Sequence, residues 1–131
     1  MLLDTSGLLC YFDVAERHHS EAVHFFRSSS FPLTHNYVLA EFVPLCRTRG
    51  LDARQALSFA LDVIVNASIE IVWIDDRIHR AGLLLLQARI DKTYSLCDAV
   101  SFLLMREHGI TEALTTDRHF EQEGFIRLLT P

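Results

Sequence analysis

The sequence predicts an α/β fold built on a mainly parallel five-stranded sheet. Five short apolar segments with strand character alternate along the chain with segments that have helical apolar spacing. That alternation is typical of repeated βαβ units, which form parallel sheets. No internal repeat, low-complexity tract or linker interrupts the 131 residues, and half of them are hydrophobic. We therefore expect one domain with a substantial core.

Each strand is predicted from a short apolar run. The first, residues 1–3, ends at Asp4, and the third, residues 69–74, has the sequence IEIVWI. β-Branched and aromatic residues favour strands, so this third segment is the clearest of the five. The remaining strands are predicted at residues 31–34, 113–115 and 125–128.

The helices are placed by apolar spacing and by signals at their ends. Asn36 is expected to cap a helix that Gly50 ends, and Pro44 should bend or break that helix. Asp52 is expected to cap the helix that follows. The seven predicted helices span residues 5–12, 16–29, 36–49, 53–65, 76–90, 95–108 and 118–123.

The composition argues against membrane and secreted proteins. No stretch approaches the ~18 uncharged apolar residues of a membrane span, and the N-terminus lacks the basic region of a signal peptide. We therefore expect a cytoplasmic protein with no membrane partner. The three cysteines are far apart and form no C-x-x-C pair. This spacing predicts reduced core residues and argues against a zinc site.

The net charge of −5 argues against a nucleic-acid partner. Two bound divalent cations would nearly cancel that charge, so its position matters more than its sum. Among the 12 basic residues only Lys92 is a lysine. Arginine suits bidentate contacts with phosphate, although a bias in composition explains the same preference.

Four carboxylates stand out from the rest of the charge: Asp4, Glu41, Asp98 and Asp117. Asp4 and Asp117 follow apolar runs predicted as strands, and the other two lie in stretches almost free of charge. The carboxyl ends of parallel strands form the crevice in which such sheets bind ligands. Several acids gathered at one point favour a hard divalent cation, so metal-dependent phosphodiester chemistry is the leading hypothesis.

Each acid also has a structural explanation. Asp4 and Asp117 are suited to cap the helices that follow them, and Asp98 fits a capping box with Ser95. Glu41 has no basic residue at helical spacing, so it is either exposed on an outer face or directed inward toward a site. Together the four acids gain weight if they converge, because close carboxylates cannot all stay ionised without a counter-charge.

Other catalytic arrangements have weaker support. His18 and His19 lie in a charged segment typical of solvated surface. The remaining histidines show no H-x-x-x-H ligand spacing, no G-x-S-x-G elbow is present, and the five glycines form no phosphate loop.

Four segments, in order, resemble the PIN domain, in particular bacterial toxin-like ribonucleases of the VapC type. They are LLDTSGLLCYFD, THNYVLAEFVPL, SLCDAVSFLLMREHGI and ALTTDRHFEQEGF. The resemblance covers essentially the whole chain and implies a single PIN-like domain over residues 1–131. The fold it implies is a three-layer α/β/α sandwich.

The resemblance also implies a function: a ribonuclease in which one or two Mg²⁺ or Mn²⁺ ions are held by the four acids. It places these metal-site and catalytic residues at Asp4, Glu41, Asp98 and Asp117. Candidates to orient these ligands are Thr5, Ser6, Ser101 and Thr116, and candidates to hold the RNA backbone are Arg47, Arg49 and Arg118. The partners implied are an RNA substrate, a small antitoxin protein, for which the apolar helices between Asn36 and Val65 offer a surface, and a second copy in a homodimer.

Two alternatives remain open. A phosphatase of the haloacid dehalogenase type would usually carry a second aspartate two residues after Asp4, where this chain has Ser6. A non-catalytic PIN-like module that binds RNA or regulates a partner would not require the intact set of acids. Metal affinity separates this second alternative from the nuclease.

Overall fold

The computed structural model describes residues 1–131 and contains five strands and seven helices. The strands are β1 (Leu2–Leu3), β2 (Leu33–His35), β3 (Glu70–Val72), β4 (Glu112–Leu114) and β5 (Ile126–Arg127). The helices are α1 (Thr5–Phe12), α2 (His19–Ser28), α3 (Asn36–Thr48), α4 (Ala53–Val65), α5 (Asp76–Ala88), α6 (Leu96–Glu107) and α7 (His119–Gln122). No helix is both long enough and apolar enough to cross a membrane.

The five strands form one sheet in the order β3-β2-β1-β4-β5, and every neighbouring pair is parallel. The predicted α/β class with a parallel five-stranded sheet is confirmed. The chain adds β2 and β3 on one side of β1 and then returns to add β4 and β5 on the other side. The strand order therefore reverses at β1. Such a reversal opens a crevice at the carboxyl ends of the strands, which here are the residues following β1 and β4.

Helices cover both faces of the sheet. Successive strand residues point to opposite faces, and in β1 Leu2 packs in one core cluster while Leu3 packs in the other. The cluster around Leu3 takes its buried side chains chiefly from α1, α3 and α4. The cluster around Leu2 takes them chiefly from α6, with Ile78 from α5 and Phe120 from α7. The predicted three-layer α/β/α arrangement follows from these two cores.

The segment with the strongest strand composition forms only a short strand. β3 has three residues, lies at the edge of the sheet and pairs only with the three residues of β2. Trp73 follows it and is exposed. The backbone N–H of Ile74 donates to Asn36 Oδ1 at 2.7 Å. The length of β3 is therefore limited by the three residues of β2 that it pairs with, and not by its own composition.

The predicted cap of α3 by Asn36 was wrong, and so was a break of the helix at Pro44. Asn36 is the first residue of the helix, and its side chain bonds to Ile74 and does not cap α3. Pro44 neither ends nor interrupts the helix. A proline removes the hydrogen bond to the carbonyl four residues earlier, which here belongs to Ala40, an exposed residue. A carbonyl at an exposed position can bond to water, which lowers the cost of Pro44.

The start of α2 also differs from the prediction, because the helix begins at His19 rather than at residue 16. Residues 13–18 form turns, in which the N–H of Glu16 donates to the carbonyl of Asp13. The other helices agree with the predicted segments to within two residues at each end.

Glu123, the residue that follows α7, forms ion pairs with two arginines. Its side chain is 4% exposed, and its carboxylate lies 2.7 Å from Arg89 Nε and 2.5 Å from Arg106 Nη2. Burial by itself would raise the pKa of Glu123, but the hydrogen bonds from Arg106 and Arg89 outweigh burial and hold the pKa below its ordinary value. The pair of contacts therefore stabilises the fold when Glu123 is ionised.

We expect Glu123→Gln to lower the free energy of unfolding by about 2 kcal/mol at pH 7. Breaking a fully buried ion pair costs roughly 3–5 kcal/mol, and the two arginines are partly exposed, which reduces that cost. Because the pKa of Glu123 is lowered, the difference between variant and wild type should shrink as the pH falls through that pKa. Urea unfolding at pH 7 and pH 4 measures both effects.

The matched control is Glu107→Gln, since Glu107 pairs with Arg77 where both side chains are largely exposed. Exposed pairs contribute about 0–1 kcal/mol. Equal effects of the two substitutions would show that the buried contacts of Glu123 add nothing to stability.

Candidate active site

A cleft of about 690 Å³ opens at the carboxyl ends of β1 and β4. All four predicted acids line it, so the structure brings together residues that are up to 113 positions apart in the chain. Its lining is mostly polar and consists of Asp4, Thr5, Ser6, Ala40, Glu41, Pro44, Leu45, Thr93, Ser95, Asp98, Thr116, Asp117 and His119.

Asp4 is the most buried of the four acids, with 5% of its surface exposed. It occupies the N-cap position of α1, but its side chain makes no capping bond. Instead Oδ2 accepts a hydrogen bond of 2.7 Å from Thr115 Oγ1. Burial, followed by the negative charges of Asp98 and Asp117, raises the pKa of Asp4 to about 7, although the Thr115 bond opposes that rise. No basic side chain lies within salt-bridge distance of Asp4.

Thr115 connects the ends of β1 and β4. Its hydroxyl donates to Asp4, accepts from the backbone N–H of Asp117 at 3.0 Å and lies 3.1 Å from Ser6 Oγ. Ser6 Oγ in turn accepts from the backbone N–H of Thr116 at 3.0 Å. The predicted hydroxyls of Thr5, Ser6 and Thr116 line the cleft, and Ser6 Oγ donates to Asp4 Oδ2 at 3.4 Å. The shorter bond to this carboxylate comes from Thr115, which also accepts from the backbone N–H of Asp117.

Asp98 combines its predicted structural role with a position in the cleft. Ser95 and Asp98 form a reciprocal capping box at the start of α6. Oδ2 of Asp98 accepts from the backbone N–H of Ser95 at 3.0 Å and lies 2.8 Å from Nδ1 of His119. Oδ1 has no protein donor, so one oxygen remains available to a ligand in the cleft.

Asp117 lies in the loop between β4 and α7. Its Oδ1 accepts from the backbone N–H of His119 at 2.9 Å, and Oδ2 is 3.4 Å from His119 Nδ1. One potential ligand atom each from Asp98, Asp117 and His119 can be chosen so that all lie within 4.8 Å of one another.

Glu41 differs from the other three acids because it is exposed. It lies on α3 at the rim of the cleft, where Oε2 accepts from Thr5 Oγ1 at 3.3 Å. Both interpretations of this residue therefore apply in part, since it faces the cleft yet remains in contact with solvent.

Some predicted neighbours of the acids lie elsewhere. Ser101 is fully buried and bonds to His35 Nε2 at 2.8 Å, on the side of α6 that faces the core. No arginine or lysine lines the cleft, and Arg49 forms an ion pair with Glu16. Arg118 follows Asp117 in the chain and is exposed to solvent.

The sequence analysis missed His119, Thr93 and Ser95 as residues of the cleft. His119 was passed over because it lacks a histidine partner at ligand spacing. The available signal was its position two residues after Asp117, which places it at the first turn of the short helix α7.

The donor set fits a hard divalent cation. The carboxylates of Asp4, Asp98 and Asp117 line the cleft and no arginine or lysine does. Burial, and to a smaller extent the charges of Asp98 and Asp117, raises the pKa of the most buried of them, Asp4. A cation at this point would stabilise the ionised form of Asp4 and offset the repulsion among the three. Carboxylate oxygens are the ligands that Mg²⁺ and Mn²⁺ prefer.

The parallel sheet in this strand order, covered on both faces by helices, carries an acidic cleft at the strand ends and defines an α/β protein with a candidate metal site. The model of the PIN domain family matches residues 1–125. The chain therefore belongs to the PIN domain family.

A solved structure of high similarity is that of VapC20 from Mycobacterium tuberculosis, described as a toxin that cleaves the sarcin-ricin loop. The two structures align with a TM-score of 0.88 and 25% sequence identity, covering 99% of this chain and 98% of VapC20. A comparison with curated protein sequences gives no significant match.

Proposed function

We propose that this protein is a metal-dependent endoribonuclease that hydrolyses RNA phosphodiester bonds. The observation that carries the proposal is that Asp4, Asp98 and Asp117 line one cleft, which no arginine or lysine lines, in a PIN domain. The similarity to VapC20 supports the further proposal that the chain is the toxin of a toxin–antitoxin pair.

Asp4, Asp98 and Asp117 would hold one or two Mg²⁺ or Mn²⁺ ions, with Glu41 contributing from the rim directly or through water. When bound, such an ion lowers the pKa of a coordinated water and offsets charge that develops on the phosphate. Each of the three inner acids keeps part of its carboxylate free of protein donors, as Asp98 does at Oδ1.

The protein's own residues supply orientation and a proton acceptor. Thr115 fixes one oxygen of Asp4, and Ser95 with His119 fixes one oxygen of Asp98. Glu41 is exposed and bonded only to Thr5, so its carboxylate is suited to take a proton from the attacking water. The new bond from the water oxygen to phosphorus would form as the bond from phosphorus to one ribose oxygen breaks, and that oxygen would leave as a hydroxyl after taking a proton from solvent.

The cleft itself offers little electrostatic attraction to RNA. No arginine or lysine lines it and the net charge is −5. Non-specific binding of nucleic acid relies on lysine and arginine contacts to phosphate. We therefore propose a substrate recognised by its shape, and a structured ribosomal RNA loop is the first to test.

The remaining partners are proposals from the same resemblance. A small antitoxin would cover apolar residues that α4 leaves exposed, which include Leu57, Leu61 and Val65. A homodimer, a cytoplasmic location and a single domain over residues 1–131 complete the proposal.

We expect Asp98→Asn to reduce RNA cleavage by about 100-fold or more. Residues that merely orient metal ligands cost 10–100-fold when replaced, so loss of a ligand should cost at least as much. Asparagine retains an oxygen that can accept from the N–H of Ser95, which preserves the cap of α6. The assay uses a pool of labelled RNAs that includes ribosomal fragments, with Mn²⁺, with Mg²⁺ and with EDTA.

The matched control is Asp91→Asn, because Asp91 is exposed and is not one of the residues that line the cleft. Cleavage that persists in Asp98→Asn, or that persists in EDTA, would contradict the metal-dependent mechanism. Absence of cleavage together with absence of Mn²⁺ binding in wild type would favour the non-catalytic PIN-like module.

A further inference from the structure

We propose that His119, held by Thr93, is a positioning residue that fixes Asp98 and Asp117 for metal binding without itself becoming a ligand. This inference rests on the proposed metal site. It concerns a residue that the four-acid pattern does not include. The basis is a continuous set of contacts from Thr93 through the imidazole to both carboxylates.

The hydrogen-bond directions determine which ring nitrogen carries a proton. Nδ1 of His119 lies 2.8 Å from Asp98 Oδ2. An ionised carboxylate only accepts hydrogen bonds, so Nδ1 must be the donor. Nε2 lies 3.0 Å from Thr93 Oγ1, which is able to donate to a ring nitrogen or to accept from it. In either case both nitrogens are engaged, and neither directs a lone pair into the cleft.

His119 acts on two acids from one position. Its side chain bonds to Asp98, which lies in the first turn of α6, and its backbone N–H donates to Asp117 Oδ1 at 2.9 Å. The ring is also packed edge-on against Tyr94, with 5.2 Å between ring centroids. The imidazole is therefore held by a hydroxyl, an aromatic ring and a carboxylate.

The consequence for the site is a defined orientation of Asp98. Oδ2 receives two donors, Ser95 N–H and His119 Nδ1, so the carboxylate cannot rotate without breaking both bonds. The same rotation would be needed to exchange Oδ2 for Oδ1 in the cleft. Partners that orient metal ligands in this way usually contribute 10–100-fold to metal affinity.

The competing interpretation is that His119 binds the metal directly, since its ring nitrogen lies within 4.8 Å of oxygens of Asp98 and Asp117. Direct binding through Nδ1 would require the loss of its proton and of the bond to Asp98. The contact of Nε2 with Thr93 and the packing on Tyr94 favour the ring in its present orientation.

Two substitutions at His119 distinguish the roles of its ring nitrogens Nδ1 and Nε2. His119→Asn retains an N–H donor near the position of Nδ1, and His119→Gln retains one nearer to Nε2. We expect His119→Gln to weaken Mn²⁺ binding by about 10–100-fold, and His119→Asn to remain within about threefold of wild type. Calorimetric titration with Mn²⁺ measures both constants, and melting of the metal-free variants shows that each one folds.

Thr93→Val provides a third variant of nearly unchanged shape. Loss of the hydroxyl leaves Nε2 without its partner, so we expect weaker Mn²⁺ binding than in wild type, but by less than in His119→Gln. Electron-spin-echo spectroscopy of the Mn²⁺-loaded wild type should show no strong coupling to a directly bound ¹⁴N nucleus.

Three outcomes would overturn the inference. The first is a strong ¹⁴N coupling from a coordinated imidazole, and the second is an Asn variant as weak as the Gln variant. The third is wild-type Mn²⁺ affinity in all three variants.

The proposed function fails separately. If wild type binds Mn²⁺ but cleaves no RNA, the nuclease proposal falls and the positioning role stands. If wild type binds no Mn²⁺, both fall.

Discussion

Asp4→Asn is expected to stabilise the metal-free protein at pH 8 and to abolish its response to Mn²⁺. The pKa of Asp4 rises from 3.8 to about 7 on folding, chiefly because the carboxyl group is buried. A raised pKa means that the folded state binds the proton more tightly than the unfolded state. The contribution of Asp4 to the stability of the metal-free wild type is therefore fully present below pH 3.8 and is lost as the pH rises through about 7.

The size of this effect follows from the same shift. A shift of one pKa unit corresponds to about 1.4 kcal/mol. Ionised Asp4 therefore lowers the free energy of unfolding by about 4 kcal/mol above pH 7 in the absence of a cation. Asparagine removes the charge and keeps an oxygen that can accept from Thr115 Oγ1. We expect Asp4→Asn to raise the free energy of unfolding by about 2–4 kcal/mol at pH 8 in EDTA, and by almost nothing at pH 4.

Added Mn²⁺ should reverse the order of stability of wild type and Asp4→Asn. A ligand that binds only the folded state stabilises it in proportion to the logarithm of its concentration above Kd. Wild type should therefore gain stability with added Mn²⁺, whereas Asp4→Asn should not. Thermal unfolding in EDTA and in Mn²⁺, at pH 4 and pH 8, measures both effects.

Asp91→Asn again serves as the control, because an exposed acid should change neither stability nor the Mn²⁺ response. A melting temperature of Asp4→Asn below that of wild type at pH 8 in EDTA would show that the buried, ionised Asp4 does not destabilise the metal-free protein. In that case the raised pKa could not be taken as support for a cation site.

Gly7→Ala is expected to have the largest effect on folding. A Cβ at Gly7 would lie 1.9 Å from the carbonyl oxygen of Leu114 and 2.6 Å from its carbonyl carbon. Both atoms are backbone atoms of β4, so α1 would have to move away from the sheet. Glycine is otherwise unfavourable within a helix, and this close approach accounts for its presence.

We expect Gly7→Ala to cost about 4 kcal/mol or more, which is the range of severe overpacking, and to prevent folding at 37 °C. A displaced α1 would also separate Ser6 from Thr115, whose hydroxyls are 3.1 Å apart. Circular dichroism melts of the purified variants provide the measurement.

Gly82→Ala is the matched control, since it is also a glycine within a helix. There the added Cβ would meet side-chain atoms, Leu96 Cδ1 at 3.0 Å and Val100 Cγ2 at 3.2 Å. These can adjust, and alanine favours the helix by about 1 kcal/mol, so the net change should be small. A Gly7→Ala variant as stable as Gly82→Ala would show that α1 is not held against β4 as described.

The sequence was sufficient to predict the sheet and to place Asp4 and Asp117 at its carboxyl edge, because parallel strands bring their carboxyl ends to one edge. Glu41 and Asp98 lie on helices, and the resemblance to the PIN domain joined them to the other two. The cleft lined by all four acids agrees with that expectation. Whether these four residues bind metal or act in catalysis remains a prediction.

The hydrogen bonds within the site were beyond the reach of local patterns. Thr115 and Asp4 are 111 positions apart, and Thr93 and His119 are 26 apart. Ser101 was placed near Asp98 from helical spacing alone, whereas the packing of α6 turns it toward His35. Such contacts depend on the rotation of each helix against the sheet, which apolar periodicity determines only coarsely.

The short edge strand shows the same limit in the fold. Residues 69–74 have strong strand composition, yet β3 ends at Val72 because β2 offers three residues to pair with. Pro44 shows the converse, since tertiary packing maintains α3 through a residue that disfavours helix. Propensity describes isolated segments, and packing decides their final bounds.

The most direct test of the central claim is RNA cleavage by wild type with Mn²⁺ in water enriched in ¹⁸O, with the product ends analysed by mass spectrometry. Attack by a water held at the acids predicts one ¹⁸O atom on the new terminal phosphate and no 2′,3′-cyclic phosphate. A cyclic phosphate end without ¹⁸O would mean that the RNA 2′-hydroxyl is the nucleophile, and it would contradict the account.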